Sequence, residues 1–233
     1  MKTLYLDLVS GISGDMFIGA MLDLGVDPLA LKQELSKLGL GGYHVHVARA
    51  YKSSIAGTKF DVHIEHDHEH HHEHDHDRHE EHEHSHGHAH SHSHTHPDSH
   101  VHPHSHSHDE ERTFAQIKEL ILRSALSDWV KARSVAIFHR IAVAEGKIHG
   151  LPPEEVHFHE VGAIDSIVDI VGACVALELM DKPRVLASRV VEGNGWVDCA
   201  HGRFPIPAPA TLAILGARGI ALTQCNEPQE LVT

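Results

Sequence analysis

Cysteine is scarce. Cys174, Cys199 and Cys225 are the only three in 233 residues, too few and too scattered for a disulfide framework or a four-cysteine zinc site. That usage fits a reducing cytosol, so a cytoplasmic protein is expected. Positive charge is also short. Nineteen Lys and Arg stand against 33 Asp and Glu, a net charge of −14. Nucleic acids and anionic membrane surfaces both select for Lys and Arg, so neither is an expected partner. No apolar run approaches the roughly 20 residues that span a bilayer. The opening MKTLYLDLVSG puts Asp7 inside what would have to be an apolar signal core, so no signal peptide is expected.

Histidine is what the chain has in excess. Of 29 histidines, 22 fall between His63 and His108. Residues 66–108 also hold nine acids against one Arg78, and Val101 is their only large aliphatic residue. Such a segment cannot bury enough apolar surface to offset its ordering entropy, so 66–111 is expected to be a disordered insertion. The flanking parts, 1–65 and 112–233, together about 190 residues rich in Val, Ile, Leu and Ala, are long enough for one core.

Local patterns predict an α/β fold: a mixed sheet with helices, interrupted by the histidine-rich insertion. TLYLDL (Thr3–Leu8) reads as a buried strand. VSGISGD follows as a glycine turn, with Asp15 capping a helix from Met16 to Leu24 and Gly25 ending it. Pro28 opens a second helix that Gly39 stops. YHVHVARA and TKFDVHIE both alternate, Val45 and Val47 opposing His44 and His46, and Phe60, Val62 and Ile64 opposing Lys59, Asp61 and His63. Two half-buried, antiparallel strands are expected. TFAQIKELILRSAL is a helix, and Ser127 caps a longer one carrying Val130, Ile137, Ile141 and Ala144. VHFHEV is short and extended, and Asp165 is expected to cap the helix after it. VLASRVVEG reads as one strand, GNGWVDCAHGRFPIPAP as a loop, PATLAILG as a short helix and GIALTQC as a last strand.

Four stretches can carry chemistry. The first is the tract, in which His68, His70, His72, His74, His76, His84, His86, His88, His90, His92, His94 and His96 recur mostly at every second position. Neutral imidazole ligates nickel, copper, zinc and cobalt, so the tract is expected to bind several ions in exchangeable fashion. Catalysis needs preorganised groups, which a disordered run does not offer. The second is HFHE. On an extended segment His157 and His159 project to one face, and Asp165 and Asp169 share a face of the following helix. This is either a set of ligands or an exposed strand followed by a cap. The third is VDCAHG, where Cys199 and His201 are ligands, a nucleophile with its base, or simply a buried thiol and a loop histidine. The fourth is SGISGD, where Ser13, Gly14 and Asp15 at a helix N-terminus either cradle a phosphate or form an ordinary turn. It lacks the Gly-Lys-Ser/Thr ending of a P-loop.

Taken together, YLDLVSGISGDMFIGAMLDLG, VHFHEVGAIDSIVDIVGA and EGNGWVDCAHGRFPIPAPAT resemble the nickel-insertion proteins of nickel-pincer cofactor biosynthesis, the LarC family. The resemblance covers essentially the whole chain, and the histidine-rich insert fits it. It implies a lyase-type nickel insertase acting on pyridinium-3,5-bisthiocarboxylic acid mononucleotide. The product, with carbon–nickel and sulfur–nickel bonds, serves lactate racemase-type apoenzymes. It implies use of CTP with Mg or Mn, bound by a C-terminal portion that continues past the residues seen here and that this N-terminal portion needs as a partner. The resemblance picks out these motifs without assigning roles: we expect His157 and His159 to hold nickel transiently, with Glu160 or Asp165 completing the site or taking the proton. Cys199 and His201 are second candidates, near the nucleotide-bearing substrate. The competing reading is a non-enzymatic nickel store or chaperone.

Overall fold

A computed structural model of the chain describes residues 2–65, 112–158, 161–199 and 202–233. The expected disorder and metal binding of 66–111 lie outside them. The described residues form one α/β unit. Its strands pair two by two, so the expected mixed sheet is a set of small ladders, some parallel and some antiparallel.

Strand β1 (Thr3–Leu6) pairs in parallel with β6 (Arg184–Ala187). It is shorter than expected and only half buried: Leu4 points inward and Tyr5 outward, because one face of so narrow a ladder meets solvent. Beyond β1 the chain stays in step with its neighbour, since Ser188 and Val191 donate their amides to the carbonyls of Leu6 and Leu8. Helix α1 (Gly14–Asp23) follows. Its N-cap is Ser13, and Asp15 lies in the first turn, where its carboxylate accepts from the Ser13 hydroxyl rather than capping the backbone. In α2 (Pro28–Ser36), Asp27 caps by accepting from the amides of Leu29 and Ala30.

Strands β2 (Tyr43–Lys52) and β3 (Ile55–Ile64) form the expected antiparallel hairpin, turned by Ser53 and Ser54 at φ 48° and 66°. This two-residue left-handed turn matches the twist of the strands it joins. One face is apolar, with Phe60 fully buried, and His44, His46 and His63 point the other way to solvent. A two-residue strand β4 (Arg112–Thr113) leads into α3 (Phe114–Arg123), whose Thr113 and Gln116 form a reciprocal capping box. Ser127 caps α4 (Asp128–His149) as expected, accepting from the Val130 amide, and left-handed Gly150 ends it. The stripe of α4 that is buried runs Val130, Ser134, Phe138 and Ala142, with Ile137 and Ile141 at its margin.

A 3₁₀ turn at Pro153–Glu155 delivers β5 (His157–Phe158), which pairs antiparallel with β4. Helix α5 (Ile164–Leu179) is the central element. Ile167, Val168, Val171 and Val175 are buried. Its N-cap is Ala163, so Asp165 is not the cap. It lies in the first turn and accepts from the Ser166 amide. The expected single strand after α5 is two, β6 and β7 (Val190–Glu192), divided at Ser188 and Arg189. The expected loop contains a hairpin, β8 (Trp196–Cys199) and β9 (Gly202–Pro205). Helix α6 (Pro209–Gly216) and β10 (Leu222–Gln224), parallel to β7, complete the unit.

The core is one cluster in which α1 lies between α5 and β3. The contacts are close enough to demand glycine: a Cβ at Gly19 would meet the Thr58 carbonyl oxygen at 2.4 Å. Among the described residues no helix is long and apolar enough to cross a membrane.

Candidate functional site

Two places bring sequence-predicted residues together. The first is a cleft of about 130 Å³ between the end of α4, β5, the β8–β9 hairpin and the start of α6. Its walls are mostly apolar, with Phe158, Val161, Val197, Phe204 and Pro209 among them, and its polar groups are His157, Cys199, Glu145, His149 and Glu230. Few polar groups converging on an apolar concavity is the usual make-up of a small-molecule site. Phe158 is buried while His157 is exposed, so the alternation of the β5 strand drives one ring into the core and turns the other toward the cleft. Cys199 ends β8, and its thiol donates to the Gly202 carbonyl at 3.3 Å across the hairpin turn.

HFHE and VDCAHG thus meet, although 42 positions separate His157 from Cys199. His159, Glu160 and His201 lie outside the described residues. Glu145 and His149 were not foreseen. They are one turn apart on α4, with Nε2 of His149 at 3.3 Å from a Glu145 carboxylate oxygen. The i,i+4 spacing of EGKIH was the available signal, but it predicts a surface pair as readily as a cleft wall.

The second place is acidic. The turn SGISGD and the helix IDSIVD meet where Gly14 abuts Asp169. Burial, then the charges of Asp15 and Asp165, raise Asp169 to about 7, against a hydrogen bond from the Asp15 backbone amide. Among the described residues, none partners the buried Oδ1 of Asp169. A carboxyl that holds its proton near neutral pH can give or take one there. Asp165 is close enough to contribute to this field, and Ser13 holds Asp15 by its hydroxyl. Ser13, Gly14 and Asp15, expected as a phosphate cradle or an ordinary turn, open α1 beside the carboxyl of Asp169.

The N-terminal turn is fastened from behind. Glu192 is fully buried and accepts from the amides of Gly193 at 2.8 Å and Leu231 at 2.6 Å. The Ile12 amide donates to the Leu231 carbonyl and the Thr233 amide to the Ile12 carbonyl. Residues 231–233 therefore clamp the turn that carries Ser13 and Asp15.

The described residues thus hold an imidazole and a thiol on one cleft wall and, elsewhere, a carboxyl raised to about 7. The family described as nickel insertion protein matches residues 4–233, and the chain belongs to that family. A protein of Geobacillus kaustophilus named pyridinium-3,5-bisthiocarboxylic acid mononucleotide nickel insertion protein is 44% identical over 233 residues, all of this chain and 49% of that one. A protein of the same name in Lactiplantibacillus plantarum is 46% identical over 234 residues, again all of this chain and 51% of its own length. The chain thus spans about half the length of these relatives. No solved structure matches.

Proposed function

We propose that this chain is the nickel-handling portion of a nickel insertase for pyridinium-3,5-bisthiocarboxylic acid mononucleotide. The observation that carries the reading is the match of the whole chain to relatives of that name, together with a cleft that gathers His157 and Cys199. Forming the nickel-pincer cofactor replaces a ring C–H by a carbon–nickel bond and joins two thiocarboxylate sulfurs to the same ion. The protein must present nickel, hold a flat ring and accept the ring proton.

Phe204 and Pro209 suit the ring. His157, with His159 beyond the described residues, presents the incoming ion as a borderline nitrogen donor. Glu160 remains a candidate proton acceptor, as does Asp165 of the acidic cluster, and the Glu145–His149 pair in the cleft wall is a further one. Cys199 and His201 serve the substrate end. CTP with Mg or Mn belongs to the C-terminal portion, and the product goes to a lactate racemase-type apoenzyme in the cytoplasm. A nickel store would need no such ordered cleft, which favours the insertase reading over storage.

The test combines this chain with the C-terminal portion of a relative, substrate, CTP, magnesium and nickel, and follows product mass. The nickel-bearing product is expected only with this chain present. Equal product without it would overturn the proposal.

A further inference from the structure

We propose that the polar face of the β2–β3 hairpin carries a site for one divalent first-row transition-metal ion, held by His46, Asp61 and His63. One ligand atom from each lies within 4.8 Å of the other two. Ligands about 2.1 Å from a common ion lie about 3–4 Å apart, so small side-chain adjustments close the site.

The ladder sets this arrangement. His46 stands opposite Asp61, and His44 opposite His63, in an unbroken register from Tyr43↔Ile64 to Lys52↔Ile55. Asp61 and His63 are two apart on β3 and so share a face. The opposite face is pinned in the core through Phe60, with Val45, Val47 and Val62 packed beside it. The three donors therefore project from a backbone that cannot turn over without exposing those side chains. His44 backs the site, its ring stacked on His63 at 5.1 Å and 18°, while the His46 ring meets His63 edge-on at 6.0 Å.

The field on this face already attracts cations. Lys59 Nζ reaches Asp61 at 2.8 Å. A divalent ion at Asp61 would displace this ammonium. Two imidazoles and one carboxylate select nickel, zinc, copper or cobalt over magnesium or calcium, which prefer oxygen. Three protein ligands leave positions open, the mark of an exchanging site rather than a closed structural one. The site also stands three residues before His66, where the histidine tract begins. An ordered acceptor at that point would receive ions from the tract. This last role rests on the proposed nickel function, whereas the site itself does not.

Site-resolved labelling tests it. The full chain is treated with diethyl pyrocarbonate across a nickel sulfate series, and each histidine is read by peptide mass spectrometry. Labelling of His46 and His63 should fall about tenfold once the ion is bound, with His139 unchanged. Asp61→Asn should raise the half-protecting nickel concentration roughly tenfold, the scale of losing a metal-site partner. Lys59→Ala, which removes the competing cation, should lower it, a shift that misfolding cannot produce. Labelling of His46 and His63 that stays unchanged at saturating nickel would overturn the site, as would a midpoint that neither substitution moves. The readout needs no substrate, so its failure leaves the insertase reading standing, and failed insertion leaves this site standing.

Discussion

A Cβ built on Gly14 would lie 2.6 Å from the Cβ of Asp169 and 2.7 Å from its Oδ2. This contact joins the N-terminal turn to α5 and presses one carboxylate beside another. In an exposed helix, Gly→Ala would stabilise by up to about 1 kcal/mol. Here Gly14→Ala should instead destabilise by about 1–3 kcal/mol, the usual cost of overpacking. Asp169→Ala should not rescue it, because the clashing Cβ remains. Urea midpoints of the two single variants and the double variant check this.

Asp169 sets a pH dependence. Its carboxyl is raised from 3.8 to about 7, with burial the largest cause. Between these values the folded state keeps a proton that the unfolded state releases. Its contribution to stability is therefore full below 3.8 and is lost as pH rises through about 7. Relative to Asp169→Asn, which cannot ionise, the parent protein should lose melting temperature steadily from pH 4.5 to 7.5. A constant difference would contradict the assignment.

Glu192 should govern the clamp on the N-terminal turn. Glu192→Ala removes the acceptor for the Gly193 and Leu231 amides, and leaving a buried donor unpaired costs about 1–3 kcal/mol. Faster amide exchange at Leu231, and at Thr233 through the Ile12 carbonyl, is the expected signature. Glu192→Gln keeps one carbonyl acceptor and should lose less.

Much of this fold was legible from local chemistry. Ser127 and Pro28 mark helix starts by rules that operate within one turn, and the His44–Val47 alternation announced the hairpin. What stayed hidden depends on distant partners. The β8–β9 hairpin is rich in Gly and Pro and reads as a loop, because its order comes from cross-strand pairs such as Val197 with Phe204. Asp15 and Asp165 have cap-like sequence contexts, yet Ser13 and Ala163 hold the N-cap positions. Within the candidate site, His157 and Cys199 were each legible as residues, while their shared cleft was not. No spacing rule joins His46 to Asp61 and His63 until the register is known.

The tract itself should follow proton competition. Nickel bound by the chain should fall as pH drops through about 6.5, the ordinary histidine value, because protons and the ion compete for the same nitrogen. Equilibrium dialysis at pH 5 and 7.5 measures it. Equal nickel at both would mean that carboxylates carry the metal.

The central claim is a division of labour: the tract gathers nickel and the ordered cleft uses it. Activation of a nickel-pincer-dependent racemase across a nickel series tests this most directly, in a protein containing both this chain and its C-terminal portion. Each variant is checked for folding by thermal melt. Deleting 66–108 should lower activation only when nickel is scarce, and excess nickel should restore it by mass action. Replacing His157 and His159 by Ala should abolish activation at every nickel concentration, since what is lost is geometry rather than supply. A tract deletion that stays inactive at saturating nickel, beside a double alanine variant that remains active, would contradict the account and make the tract the working site.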